Sequence, residues 1–151
     1  GPFTKDGNGL DMRLYIPVGE KWELSKSCIP TGDMLVQTNH DRQYLTGSQV
    51  PVLHDIDNDV FFAEEGSLDG KPFYGAVATD AATGKRICYE VCKDFKFWVV
   101  WNDHGDKGYF CPEPCTWIID APNQPIPGEE SGYRELAPGE SHTVTEKIYT
   151  A

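Results

Sequence analysis

An all-β, antiparallel sandwich is the fold class this sequence predicts, and three observations predict it. Short segments of alternating or densely β-branched and aromatic residues recur along the chain. Clusters of Gly, Pro, Asn and Asp separate them. No long segment carries apolar residues at the three-and-four spacing of a helix. Many short strands divided in this way fold as a sandwich or barrel.

The elements follow in order. Leu10, Met12, Leu14 and Ile16 alternate with Asp11, Arg13 and Tyr15 and stop at Pro17, which predicts a half-buried strand. Residues 34–38 form a short apolar run after the turn-rich lead-in Pro30-Thr31-Gly32-Asp33. Residues 72–79 and 86–92 read as two strands, and Asp80-Ala81-Ala82-Thr83-Gly84-Lys85 supplies the turn of a hairpin between them. Residues 95–101 make a dense aromatic and β-branched strand, and residues 143–149 alternate again. Residues 122–135 hold three prolines and two glycines and predict a long surface loop. With no internal repeat, low-complexity tract or composition break, residues 1–151 read as one domain.

Composition bounds the function. The 151 residues carry 13 Lys+Arg against 24 Asp+Glu, a net charge of −11. Such a surface repels phosphate backbones, and no basic run offsets it, so nucleic acid is not an expected partner. No apolar stretch is long enough for a helical membrane span, and no signal peptide is visible, so a cytoplasmic location is expected. Gly1-Pro2 reads as the remnant of tag removal. Cys88 and Cys92 share a spacing with Cys111 and Cys115. Residues four apart on a strand stand roughly 13 Å apart, too far for one zinc ion, so reduced cysteines in the core or on a face are expected and no metal.

Cys111-Pro112-Glu113-Pro114-Cys115-Thr116-Trp117 is the most unusual segment. Two prolines stiffen the backbone on either side of Glu113. Trp98, Trp101, Tyr109, Phe110 and Trp117 lie near it in sequence. A carboxylate partly desolvated by such neighbours suits general-base chemistry. The plainer reading of the same residues is a solvent-facing Glu on a proline-kinked edge strand. Asp55, Asp57, Asn58 and Asp59 lack the glycine and glutamate of a calcium loop; they suit sugar hydroxyls or a polar turn. His40, His54, His104 and His142 form no close-spaced zinc pair, and neither a phosphate loop nor a Gly-x-Ser-x-Gly elbow is present.

Several of these pieces line up with one family. Leu14-Tyr15-Ile16-Pro17 and Ile29-Pro30-Thr31-Gly32-Asp33 resemble the opening of the later half of the aldose 1-epimerases, the galactose mutarotases. Trp98-Val99-Val100-Trp101, Glu113-Pro114-x-Thr116-Trp117 and Asp120-Ala121-x-Asn123 are similar to the segment around that family's catalytic glutamate. Leu136-Ala137-Pro138-Gly139-Glu140 is similar to its final turn. The resemblance implies part, or a short version, of the galactose mutarotase-like supersandwich. It implies interconversion of the α and β anomers of a free glucose- or galactose-like aldose, with Glu113 as the base and no cofactor. Asp57 and Asp59 compete for a sugar-binding aspartate, and Trp117 and Asn123 fall in the matching block. The family's members are roughly twice this length, and none of the four histidines matches their acid. The chain is therefore expected to be a piece of a longer polypeptide, to pair with a second copy or a complementing N-terminal half, or to bind sugar without turning it over. A non-catalytic carbohydrate-binding module is the alternative function.

Overall fold

A computed structural model describes residues 9–105 and 107–151, so the reading of Gly1-Pro2 lies outside the described residues. In chain order the strands and helices are β1 (Met12–Tyr15), β2 (Val18–Leu24), β3 (Pro30–Leu35), α1 (Asn39–Leu45), β4 (Asp59–Ala63), β5 (Gly66–Leu68), β6 (Lys71–Phe73), β7 (Gly75–Asp80), β8 (Arg86–Val91), β9 (Phe97–Trp101), β10 (Cys111–Cys115), α2 (Gly128–Ser131) and β11 (Glu146–Thr150). All the strand pairings among the described residues are antiparallel. One sheet runs β1-β7-β8-β11 and the other β10-β9-β4-β2-β3, while β5 and β6 form a separate hairpin.

Period-two alternation sorts the side chains into three apolar layers. Between the two sheets lie Leu14 of β1, Ala76 of β7 and Val91 of β8, against Phe61 of β4 and Trp98 and Val100 of β9. Tyr44 and Leu45 of α1 join this layer. The far face of the four-stranded sheet packs Val77 and Cys88 against Phe73 and Leu68 of the small hairpin. The far face of the five-stranded sheet packs Trp22, Val60, Phe97 and Val99 against Ile118 and Ala121. Burying these side chains stabilises the fold by about 1.5–3 kcal/mol for each large one.

The β7–β8 hairpin forms with the predicted turn, Asp80 accepting from Ala82 N (3.0 Å) and Thr83 Oγ1 (2.5 Å), but the strand expected over residues 72–79 divides into β6 and β7, which lie in different sheets. Other expectations are corrected. The first strand is shorter than residues 10–16, because Gly9–Asp11 coil into a 3-10 turn. The third strand is Pro30–Leu35, not residues 34–38. It is the sheet's outermost strand, where a proline and a glycine disturb no second ladder. A helix also occurs where none was expected. Thr38 caps it, accepting from Asp41 N (3.1 Å) while Asp41 Oδ2 accepts from Thr38 N (2.7 Å). Residues 122–135 do more than loop over the surface. With residues 116–121 they form short helical turns that roof the third apolar layer through Ile118, Ala121, Ile126 and Tyr133.

Candidate active site on the β10 edge

Glu113 sits at the centre of β10, the outer strand of the five-stranded sheet. The proline spacing explains why this segment is an edge. Residues two apart direct their backbone groups to the same side, so the N–H groups missing from Pro112 and Pro114 fall on one side, and only the solvent side tolerates that. The register pairs Glu113 with Val99, Cys111 with Trp101 and Cys115 with Phe97. Glu113 therefore projects from the face that residues 116–133 partly roof. Its side chain is exposed, which corrects the expected desolvation. Trp98, one of the aromatics expected around it, points to the opposite face and is buried between the sheets.

Phe110 likewise packs on the layer between the sheets, and the remaining aromatics flank the glutamate. Trp101 shares its face and packs on Tyr109, ring centroids 5.7 Å apart. Beyond the other end of β10, Trp117 packs on Tyr133 at 5.6 Å with the rings 31° from parallel. Cys111 and Cys115 lie on either side of Glu113 on the same face. Burial, and then the Glu113 charge, push both thiols above their ordinary range, so they are neutral neighbours.

The two competing aspartates occupy different surroundings. Asp59 pairs across β4–β9 with Val100, so it projects from the face opposite Glu113, and the two are not brought together. Its Oδ1 accepts from Lys21 Nζ (3.4 Å) and its Oδ2 from Tyr44 Oη (3.1 Å). Lys21 also bonds Asp41 Oδ1 at 3.1 Å, beneath α1. Burial raises the Asp59 carboxyl above the usual range, and Lys21 only partly offsets it. Burial acts on Asp41 too, but hydrogen bonds from Thr38 and Lys21 outweigh it and hold that carboxyl below the usual range. Burial pushes the Tyr44 hydroxyl far up, reinforced by the Asp59 charge.

Asp57 is exposed and accepts from Asn58 Nδ2 at 3.1 Å. Its position is set by Asn102, which directly follows β9 and is wholly buried. Asn102 Oδ1 accepts from Ile56 N (3.1 Å), and its Nδ2 donates to Pro51 O (3.1 Å) and His54 O (2.6 Å). These bonds hold the loop carrying Asp57 to the Cys111 end of the β9–β10 hairpin. Trp117 and Asn123 lie beyond the Cys115 end. Asn123 is exposed, and its Nδ2 donates to Asp120 Oδ1 at 2.6 Å.

The histidines divide among three settings. His40 and His54 pack ring against ring at 4.5 Å beside Tyr44. Burial, and then His40, push His54 below its ordinary range. His104 bonds Asp55 at 2.8 Å, and that carboxylate raises it. His142 lies in a cleft of about 750 Å³ next to Trp117. That cleft was not foreseen, because its walls come from segments far apart in sequence.

The fold and this edge strand define a class: an antiparallel β-sandwich of the galactose mutarotase-like kind. The solved structure of a galactose mutarotase-like protein from Clostridium acetobutylicum matches with a TM-score of 0.86 and 33% sequence identity, over 95% of this chain and 42% of that one. The chain thus spans less than half of that relative. The aldose 1-epimerase family profile matches residues 7–149, and the chain belongs to that family.

Proposed function

We propose that this chain carries the base side of an aldose 1-epimerase site, with Glu113 as the general base. The observation that supports it most is the position of Glu113, exposed at mid-strand between two aromatic pairs, in a chain that belongs to this family. The carboxylate takes the proton from the anomeric hydroxyl. An acid protonates the ring oxygen, the ring opens, the aldehyde carbon rotates, and reclosure gives either anomer. No organic cofactor or metal takes part in this scheme.

Asp57 suits the binding of sugar hydroxyls better than Asp59, whose two oxygens are already engaged with Lys21 and Tyr44. Trp117 offers an apolar ring face, and Asn123 extends the same end of the site. The acid and the cover over Glu113 are assigned to the portion of the family fold beyond the matched 42% of the relative, in the same polypeptide or a complementing one. A general base works best shielded from water, and solvent reaches Glu113 here. That exposure supports a second reading, in which this chain binds an aldose without turning it over.

Polarimetry of freshly dissolved α-glucose and α-galactose separates the readings. With the remaining portion present, the parent accelerates mutarotation and Glu113→Gln loses about 10²–10⁴-fold of the acceleration. Equal acceleration by parent and variant would remove Glu113 from the chemistry. Sugar binding with no acceleration by either would leave the binding reading.

A further inference from the structure

We propose that the cleft next to Trp117 is a second carbohydrate subsite, which holds sugar units beyond the ring presented to Glu113. The choice of carbohydrate as the ligand class rests on the function proposed above. The subsite itself rests on the cleft.

The cleft has a volume of about 750 Å³, with Asp94, Thr116, Trp117, Tyr133, Arg134 and His142 among its lining residues. That is within the size range of small-molecule sites and leaves room for more than one pyranose ring. Its apolar wall is the Trp117–Tyr133 pair, and the Trp117 ring is 44% exposed. A pyranose presents an apolar C–H face that packs on such a platform, with its hydroxyls directed outward.

The polar wall supplies both donors and acceptors. Asp94 Oδ1 lies 3.8 Å from Arg134 Nη2 and 3.6 Å from His142 Nε2. Both separations exceed hydrogen-bond length, so a ligand hydroxyl can bridge these groups without breaking a bond. Arg134 also contacts the His142 ring, which joins the polar wall. The aromatic platform is built in, not incidental. Gly132 has φ +77°, and a Cβ there would stand 2.1 Å from Thr116 O, so a glycine is needed to bring Tyr133 against Trp117. Ile118 N donates to Ser131 O at 2.9 Å and closes the same junction.

The placement gives the subsite its role. Glu113 and Cys115 project from one face of β10, and Trp117 lies two residues past the end of the strand. The cleft that Trp117 lines therefore opens beyond the Cys115 end of the strand that carries Glu113. The substrate this arrangement fits is the reducing end of a short oligosaccharide.

Calorimetric titration of the full chain with glucose, maltose and maltotriose, and with cellobiose and cellotriose, tests this. In at least one series affinity rises about tenfold from mono- to trisaccharide, and Trp117→Ala removes that gain. Asp94→Asn, an exposed change that keeps the side-chain size, reduces the same gain and serves if the tryptophan variant does not fold. Affinity independent of length in both series, a gain retained in both variants, or no saccharide binding at all would overturn the proposal. Glu113→Gln keeps the length-dependent gain, so failure of the subsite and failure of the mutarotase reading give different results.

Discussion

Lys21 holds two carboxylates that would otherwise face each other beneath α1, and replacing it tests how the helix is fastened to the sheet. In Lys21→Met the stem still covers Phe61, over whose ring the ammonium sits at 5.7 Å, while the charge is gone. Asp41 is 1% exposed and Lys21 only 17%, so the pair with Asp41 is largely out of water. Breaking a buried pair by removing one partner costs about 3–5 kcal/mol, and the partial exposure of Lys21 and Asp59 places this case near 3 kcal/mol at pH 7. The pH dependence follows from the same charges. Without the ammonium both carboxyls bind protons more tightly than they do in the folded parent. Folding of the variant then takes up more protons than folding of the parent, and the variant gains stability relative to the parent as pH falls. The parent's Asp41, held below the usual range, contributes stability that is present above its unfolded value of 3.8 and lost below it. The deficit is therefore largest at neutral pH and narrows toward pH 3.8. Urea denaturation of both proteins at several pH values measures it. A deficit below about 1 kcal/mol at pH 7, typical of a surface pair, would refute the reasoning. So would a deficit as large at about pH 4 as at pH 7.

Two further outcomes are expected. Asn102→Ala removes three side-chain hydrogen bonds and strands the buried groups they satisfied, so the urea midpoint falls by the equivalent of about 2–4 kcal/mol and the Ile56 amide loses exchange protection. In Glu113→Gln the charge beside Cys111 and Cys115 is gone; at roughly 7 Å through a watery dielectric it is worth about threefold in thiolate fraction. Iodoacetamide therefore labels both cysteines about threefold faster at pH 7.5, with Cys28 as the internal control.

Much of this was legible in the sequence, and the failures have physical causes. β9 was readable because a buried strand must be apolar and β-branched or aromatic whatever surrounds it. β3 was misplaced because an edge strand need not alternate, and a Pro-Thr-Gly-Asp run that reads as a turn can lie there. α1 spans seven residues, too few to show helical periodicity, yet Thr38 and Asp41 spelled its capping box. Of the two readings of Glu113, the plainer one, an exposed glutamate on an edge strand, is the one the fold displays; its role as base rests on the resemblance. Pattern did not separate Asp57 from Asp59, because what distinguishes them is Lys21 and Tyr44, brought in from β2 and α1. The cleft went unseen for the same reason: Asp94 and His142 meet only through the fold.

The two prolines of β10 also determine how this sandwich can be extended. A strand added beside Glu113 would find no N–H at Pro112 or Pro114 and could not form a regular ladder there. At the far margin of the other sheet, β11 has no such block, and its Ile148 is 68% exposed. Growth of the structure by strand addition is thus directional: closed where the glutamate stands, open at β11. Any segment that packed over Glu113 would have to do so through loops and side chains, without a regular strand ladder.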